Sequence, residues 1–296
     1  MSVDSDFAAV KPFEIDMPPV IEAPCVFNSP HSGRHYPERF LRMSRLDESG
    51  IRRSEDFYVD ELFDGVPLLG APLMRANFPR SYLDVNREPY ELDPRMFSGS
   101  LPPFTNRNSI RVAGGLGTVP RVVSEGQNIY PRRLPYDEAR NRIEQIYKPY
   151  HEALRGVLAR IHRRFGCALL IDCHSMPASV KTQDNGTPAD FIVGDRFGSS
   201  ASRDVTAAVV EAIDDLGYSV VTNKPYAGGF ITEHYGRPAK HLHALQIEIN
   251  RGIYFDEKRL RKTSGFDQVK ADMNSLARVI TDLPIDMLRE FSLAAE

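Results

Sequence analysis

Two histidines, His31 and His174, each close a short apolar run and open a turn, in Cys25-Val-Phe-Asn-Ser-Pro-His31-Ser-Gly33 and Cys167-Ala-Leu-Leu-Ile-Asp-Cys-His174-Ser-Met-Pro177. A strand that presents a titratable side chain at its C-terminal end, followed by Gly or Pro, is how open α/β sheets build sites. Two imidazoles and one carboxylate are enough to hold a catalytic zinc ion with a position left open. The acidic pair Glu55-Asp56, which opens the amphipathic stretch from Asp56 to Phe63, could supply that carboxylate. The same pair could equally do no more than favour the N-terminus of a helix through its dipole. No compact motif such as H-E-x-x-H decides between the two.

Other residues could complete a hydrolytic site. Glu248, in Leu245-Gln-Ile-Glu248-Ile-Asn-Arg251-Gly, lies near the end of an apolar strand, where a charge is costly unless paired or working. A general base for water is the functional reading, and an ion pair with Arg251 is the structural one. The segment Asn77-Phe-Pro-Arg80-Ser-Tyr-Leu-Asp84-Val-Asn86-Arg87-Glu is rich in Arg, whose planar fork grips carboxylates. Internal pairing with Asp84, Glu88 or Glu91 is the competing fate. Gly114-Gly-Leu-Gly117 lacks the strand–turn–helix context of a phosphate loop. Gly228-Gly229-Phe-Ile-Thr-Glu-His234 is either a substrate loop or a plain turn. His241 and His243 read as an exposed pair. If the strand alternates, Cys173 points away from His174 and into the core.

These residues need elements to position them. Strand-like runs lie at 24–28, 67–76, 82–85, 168–173, 191–194, 218–222 and 244–249. Several are rich in Val, Ile and Leu without clean alternation, as strands covered on both faces are. Helical periodicity runs from Tyr136 to Phe165, with a kink expected at Pro149, and again over 199–216 and 266–283. Strands alternating with helices predict a three-layer α/β/α sandwich, read as one domain over residues 1–296. Residues 1–20 read as an N-terminal arm, and 88–135 as a long loop insertion near the site.

The whole chain narrows the field. With 296 residues, 42% of them hydrophobic, it can bury a substantial core. A net charge of −3 gives no reason to expect nucleic acid or an anionic membrane as partner. No signal peptide is evident, and no apolar run approaches the ~18 residues a membrane span requires. Cys25, Cys167 and Cys173 all sit in or beside apolar runs and read as reduced, buried thiols of a cytoplasmic protein. Oligomeric state is not legible.

The segments Asn28-Ser-Pro-His31-Ser-Gly33, Arg53-Ser-Glu-Asp56, Arg80-Ser-Tyr-Leu-Asp84-Val-Asn86-Arg87 and Gly115-Leu-Gly-Thr-Val-Pro-Arg121, with Tyr147-Lys-Pro-Tyr-His151, Asp172-Cys-His174-Ser-Met and Glu248-Ile-Asn-Arg251, together resemble the N-formylglutamate amidohydrolase family. The likeness runs in order over roughly residues 25 to 260. It implies a mixed central sheet like that of zinc carboxypeptidases and aspartoacylase-like deacylases, and one Zn²⁺ per chain. His31 and His174 would be ligands, with Asp56 chosen over Glu55 as the third, because Arg34 occupies the position where carboxypeptidases carry a Glu. Glu248 would be the base, Arg80 a clamp on substrate or oxyanion, and Asn86 with Arg87 a carboxylate-binding pair. Arg121 and Arg251 are further candidates for the carboxylates of glutamate. The implied reaction is release of formate from N-formyl-L-glutamate, a small-molecule substrate, late in histidine breakdown. The alternatives are a deacylase or carboxypeptidase acting on another N-acyl amino acid or a cell-wall peptide, and a metal-free dicarboxylate-binding protein.

Overall fold

Seven strands form one mixed sheet: β1 (Phe13–Asp16), β2 (Cys25–Ser29), β3 (Leu73–Ala76), β4 (Ala168–Met176), β5 (Phe191–Gly194), β6 (Val220–Thr222) and β7 (Leu242–Asn250), in the spatial order β1-β3-β2-β4-β7-β5-β6. The computed structural model describes residues 6, 7, 9–123, 126–181 and 186–290. β2, β4 and β7 run parallel, β5 is antiparallel to β7, and β6 is parallel to β5. The α/β architecture with a mixed central sheet that the sequence predicts is therefore the one observed. β4 and β7 are the longest strands, nine residues each, and are buried over nearly their whole length. This is why their Val, Ile and Leu runs lack a clean hydrophobic–polar alternation.

Alternation nonetheless governs which face each side chain takes. Phe27, Ile171, Cys173, Leu245 and Ile247 join one hydrophobic cluster, so Cys173 is core as its strand position requires. Helices α3 (Arg203–Asp215) and α4 (Phe266–Thr281) contribute Val205, Val209 and Ile213, and Met273, Leu276 and Ile280, to that cluster. Their spacing of three and four residues is the apolar stripe of an amphipathic helix. Each fully buried side chain of this size stabilises the fold by about 1.5–3 kcal/mol. The stretch 136–165 is α1 (Tyr136–Arg142), a π-helical turn (Ile143–Tyr147) and α2 (Lys148–Phe165). Pro149 offers no N–H to the preceding turn, and the wider π turn takes up the interruption where a kink is predicted.

Several expected elements differ. The predicted strand 67–76 is a 3-10 turn (Val66–Leu69) followed by β3, because Gly70, at φ 78°, turns the chain between them. Residues 82–85 form no strand. Tyr82, Leu83 and Val85 are apolar because they are buried in a turn, not because they pair. The N-terminal arm includes edge strand β1. The segment 88–135 carries a 3-10 turn (Pro94–Met96), a short helix (Ile110–Ala113) and a parallel pair, Phe97–Ser98 with Leu134–Pro135. Leu92, Phe97, Val112, Val119 and Ile129 are buried, so this segment has packed structure of its own.

The chain divides into two compact units where the sequence reads as one domain. One comprises the described residues of 30–55, 75–154 and those up to Glu14. The other comprises Ile15–Ser29, Asp56–Met74 and the described residues from Arg155 onward. No helix among the described residues is long and apolar enough to cross a membrane.

Candidate active site

The unit built on the sheet presents two rows of polar side chains on the face opposite the cluster of Phe27 and Ile171. Strand register sets the rows. Asn28 lies opposite Asp172 and Asp172 opposite Gln246, while two residues further along His174 lies opposite Glu248. In-register neighbours on adjacent strands share a face, so each row is continuous across the strands. Asn28 Nδ2 donates to Asp172 Oδ1 at 2.8 Å, and Asp172 Oδ2 lies 2.8 Å from His174 Nε2. On its other side, His174 Nδ1 lies 2.8 Å from Asp56 Oδ2. Burial disfavours the imidazolium, but Asp172 and Asp56 outweigh it and hold His174 well above the ordinary imidazole range.

Asp56 is in turn held by Arg251, whose Nη2 donates to Asp56 Oδ1 at 3.1 Å. Arg251 also donates from Nε to Ser175 Oγ at 2.9 Å and pairs with Glu257 at 3.3 Å. All three of its nitrogens thus meet protein partners, and the side chain is 5% exposed. Arg121 is similarly tied. Its Nε donates to Asp93 Oδ2 at 2.8 Å and its Nη1 to Asn128 Oδ1 at 2.6 Å. Both arginines, expected among the contacts to the carboxylates of a substrate, here pair with carboxylates of the protein: Arg121 with Asp93, and Arg251 with Asp56 and Glu257.

In the other unit, Asp84 gathers the motif residues. Its Oδ1 lies 2.8 Å from His31 Nε2 and accepts from the backbone N of Asn86 at 2.9 Å. Its Oδ2 accepts from Arg80 Nε at 3.0 Å and pairs with Arg87 Nη2 at 3.4 Å. Burial alone would raise the Asp84 pKa, but Arg87, His31 and Arg80 hold it well below the carboxylate range. Burial lowers Arg87 to about 10 despite Asp84. Arg87 donates to the carbonyls of Leu116 and Asn86 at 2.8 and 2.7 Å. The motif Tyr147-Lys-Pro-Tyr-His151 explains itself here: Tyr147 Oη donates to Arg87 O at 2.6 Å, and one helical turn on, His151 Nε2 donates to Val85 O at 2.8 Å. Gly33, just after His31, is obligatory, because a Cβ there would lie 2.0 Å from the Phe78 carbonyl oxygen.

Glu55 and Asp56 are adjacent but have different partners. Glu55 accepts from Tyr36 Oη at 2.6 Å and from Arg52 Nε at 2.9 Å, whereas Asp56 takes His174 and Arg251. Among the described residues, one group of side chains could hold a metal ion. Asp56 and His174, buried side by side in the sheet unit, offer a carboxylate and an imidazole as ligand atoms, and His31, buried in the other unit, offers a second imidazole. Glu248, expected as a base, is mostly buried and accepts from Gln246 Nε2 at 2.9 Å.

Asp172 and Gln246 have no role in the sequence reading, and Asp84 appears there only as an internal partner for the arginines, which it is. A usable signal was present, since Asp172 and Gln246 each stand two residues before a candidate residue on the same strand, and hence on the same face.

Comparison with known proteins places the chain in a family. Residues 23–255 match the N-formylglutamate amidohydrolase family. The chain is 32% identical over 238 residues to an N-formylglutamate deformylase of Pseudomonas putida, covering 79% of this chain and 82% of that one. It is 30% identical over 239 residues to the Pseudomonas aeruginosa N-formylglutamate deformylase, covering 79% and 83%. The crystal structure of N-formylglutamate amidohydrolase from Ralstonia eutropha JMP134 superposes with a TM-score of 0.87 at 33% identity, covering 92% of this chain and 98% of that one. A gene product of Agrobacterium tumefaciens shares the fold, with a TM-score of 0.66 at 14% identity. The match spans the segments that carry His31, Asp56, Asp84, His174 and Glu248, and the chain belongs to the N-formylglutamate amidohydrolase family.

Proposed function

We propose that this protein hydrolyses the formyl amide of N-formyl-L-glutamate to formate and L-glutamate, late in histidine breakdown and in the cytoplasm, with one zinc ion held by His31, Asp56 and His174. The observation that carries the substrate is the family match over residues 23–255, together with relatives that bear that name. Support for the metal comes from the donor chemistry, since two imidazoles and a carboxylate suit Zn²⁺. Each imidazole also has a carboxylate on its Nε2, Asp84 for His31 and Asp172 for His174, and ligating histidines are usually held in this way. Lewis acidity that acidifies water and polarises an amide carbonyl is what such an ion supplies when bound.

The remaining work falls to side chains. Glu248 takes the proton of the attacking water and returns it to the departing amine of glutamate. Arg80 offers positive charge to the oxyanion. It is the more accessible of the two arginines on Asp84, at 27% against 9% for Arg87. Asn86 and Arg87 receive the α-carboxylate. Arg251 and Arg121 brace the protein through Asp56 and Asp93. Three buried free cysteines are in keeping with a reducing compartment.

The test is formate release by the purified enzyme across N-formyl-glutamate, N-formyl-glutamine, N-formyl-alanine and N-acetyl-glutamate, with metal content measured on the same sample. The proposal expects about one zinc per chain and the highest kcat/KM for N-formyl-glutamate. A higher kcat/KM for an N-acetyl substrate would overturn it.

A further inference from the structure

Glu248 does not stand alone on β7. Gln246, two residues earlier and therefore on the same face, donates from Nε2 to Glu248 Oε1 at 2.9 Å. The other end of that amide is also occupied, since Gln246 Oε1 accepts from the backbone N of Gly229 at 2.8 Å. A backbone N–H can only donate, so Gly229 fixes the orientation of the amide and leaves its NH₂ for Glu248. Gln246 is 4% exposed, so both bonds are made out of water.

The loop that supplies Gly229 is itself fastened to the sheet. Gly194, the register partner of Gln246 on β5, lies so close to this loop that a Cβ would meet the Ala227 and Gly228 backbone at 2.7–2.8 Å. Arg196 N donates to Ala227 O at 2.7 Å. The amide of Gln246 is thus anchored through main chain at one end and meets a carboxylate at the other. β4 repeats the pattern: Asp172 holds His174 two residues on, as Gln246 holds Glu248. In both strands the residue of the first row orients the residue of the second.

We infer that Gln246 is a positioning residue for the reaction, tying the Glu248 carboxylate to the Gly229 backbone and so holding it in the orientation in which it deprotonates water. This rests on the proposed role of Glu248 as base. A base held in place needs no reorientation at the moment of proton transfer, and misplacement of a reacting group by about 1 Å can cost up to ~10²-fold in rate. Because the bond is to the base and not to substrate, its loss acts on kcat and leaves KM alone.

Two substitutions separate this from a loop-holding role. Gln246→Glu keeps an acceptor for Gly229 and donates to Glu248 only where the two carboxyls share a proton, which its pH–rate profile reports, whereas Gln246→Met fills the space and makes neither bond. Positioning predicts that both variants lose roughly 10- to 10²-fold in kcat, with KM within about twofold and with zinc content and far-UV circular dichroism unchanged. Normal kcat in Gln246→Met, normal kcat in Gln246→Glu at a pH where both carboxyls are ionised, or a loss carried by KM, would overturn the inference. Glu248→Gln is measured alongside. If it is impaired while the Gln246 variants are normal, only the positioning role fails. If it retains near-normal kcat, the role of Glu248 as base fails and the inference falls with it.

Discussion

Asp172 and His174, two residues apart on one strand, meet side chain to side chain, with Asp172 Oδ2 2.8 Å from His174 Nε2. The contact fixes which imidazole nitrogen faces Asp56, because the Nε2 position is taken and Nδ1 is the one 2.8 Å from Asp56 Oδ2. Asp172 is itself pinned by Asn28 on the neighbouring strand, so the orientation of His174 derives from the register of the sheet.

The first expectation concerns metal affinity. His174→Ala and His31→Ala should each lower zinc stoichiometry and abolish turnover with the fold retained. Asp172→Asn and Asp84→Asn should keep the ligands but weaken zinc binding by roughly 10- to 100-fold. Competition with a chelator, read by metal analysis, measures both effects. Full zinc occupancy in both histidine variants would remove the ligand assignment.

Glu248→Gln preserves shape but cannot accept a proton, so kcat should fall by roughly 10²- to 10⁴-fold. Zinc should stay bound, since Glu248 is not a proposed ligand. Steady-state formate release and metal content on one preparation decide the matter.

Arg87→Lys keeps the charge but loses the planar fork that also meets Leu116 O and Asn86 O. Loss of a charged hydrogen bond to the substrate α-carboxylate should cost about 1.5–3 kcal/mol in kcat/KM. The loss should be equal for N-formyl-glutamate, N-formyl-glutamine and N-formyl-alanine, which share that carboxylate. A loss confined to N-formyl-glutamate would move Arg87 to the side-chain carboxylate, and unchanged kinetics would leave it a purely internal partner.

Asp93 supplies a pH expectation. Burial would raise its pKa, but hydrogen bonds from Arg95 and Arg121 hold it below the ordinary carboxylate value. A carboxylate depressed in the folded state stabilises it above its unfolded pKa, about 3.9, and that stability is lost as pH falls below this value. The Tm deficit of Asp93→Asn should therefore be largest near pH 7 and shrink toward pH 3 in thermal melts. Arg121→Gln should show a similar Tm deficit with KM for N-formyl-glutamate unchanged. A raised KM would return Arg121 to the substrate.

Much of the sheet was legible in the sequence because its strands are buried on both faces and so consist of continuous apolar runs. The cores of β2, β4, β5 and β7 lie where those runs lie. Alternation about Cys173 and His174 also sorted core from site, since a pleated strand sends neighbours to opposite faces. The turn at 82–85 reads as a strand in the sequence because apolar content reports burial, and burial alone does not distinguish a packed turn from a paired strand. For 88–135, short elements held by long-range packing leave no periodic trace in the chain.

His31, His174 and Glu248 stand out as candidates by residue type and place near strand ends, and the Glu55-Asp56 pair by its carboxylates ahead of an amphipathic stretch. Their partners do not, because a side chain's hydrogen bonds depend on register and on what other segments bring within about 3 Å. Glu55 and Asp56 are chemically alike and adjacent in sequence. Only the fold gives Arg52 and Tyr36 to one, and His174 and Arg251 to the other. The arginines follow the same rule: sequence supplies a guanidinium that can grip any carboxylate, and tertiary structure decides whether that carboxylate belongs to the protein, as Asp93 and Asp56 do for Arg121 and Arg251.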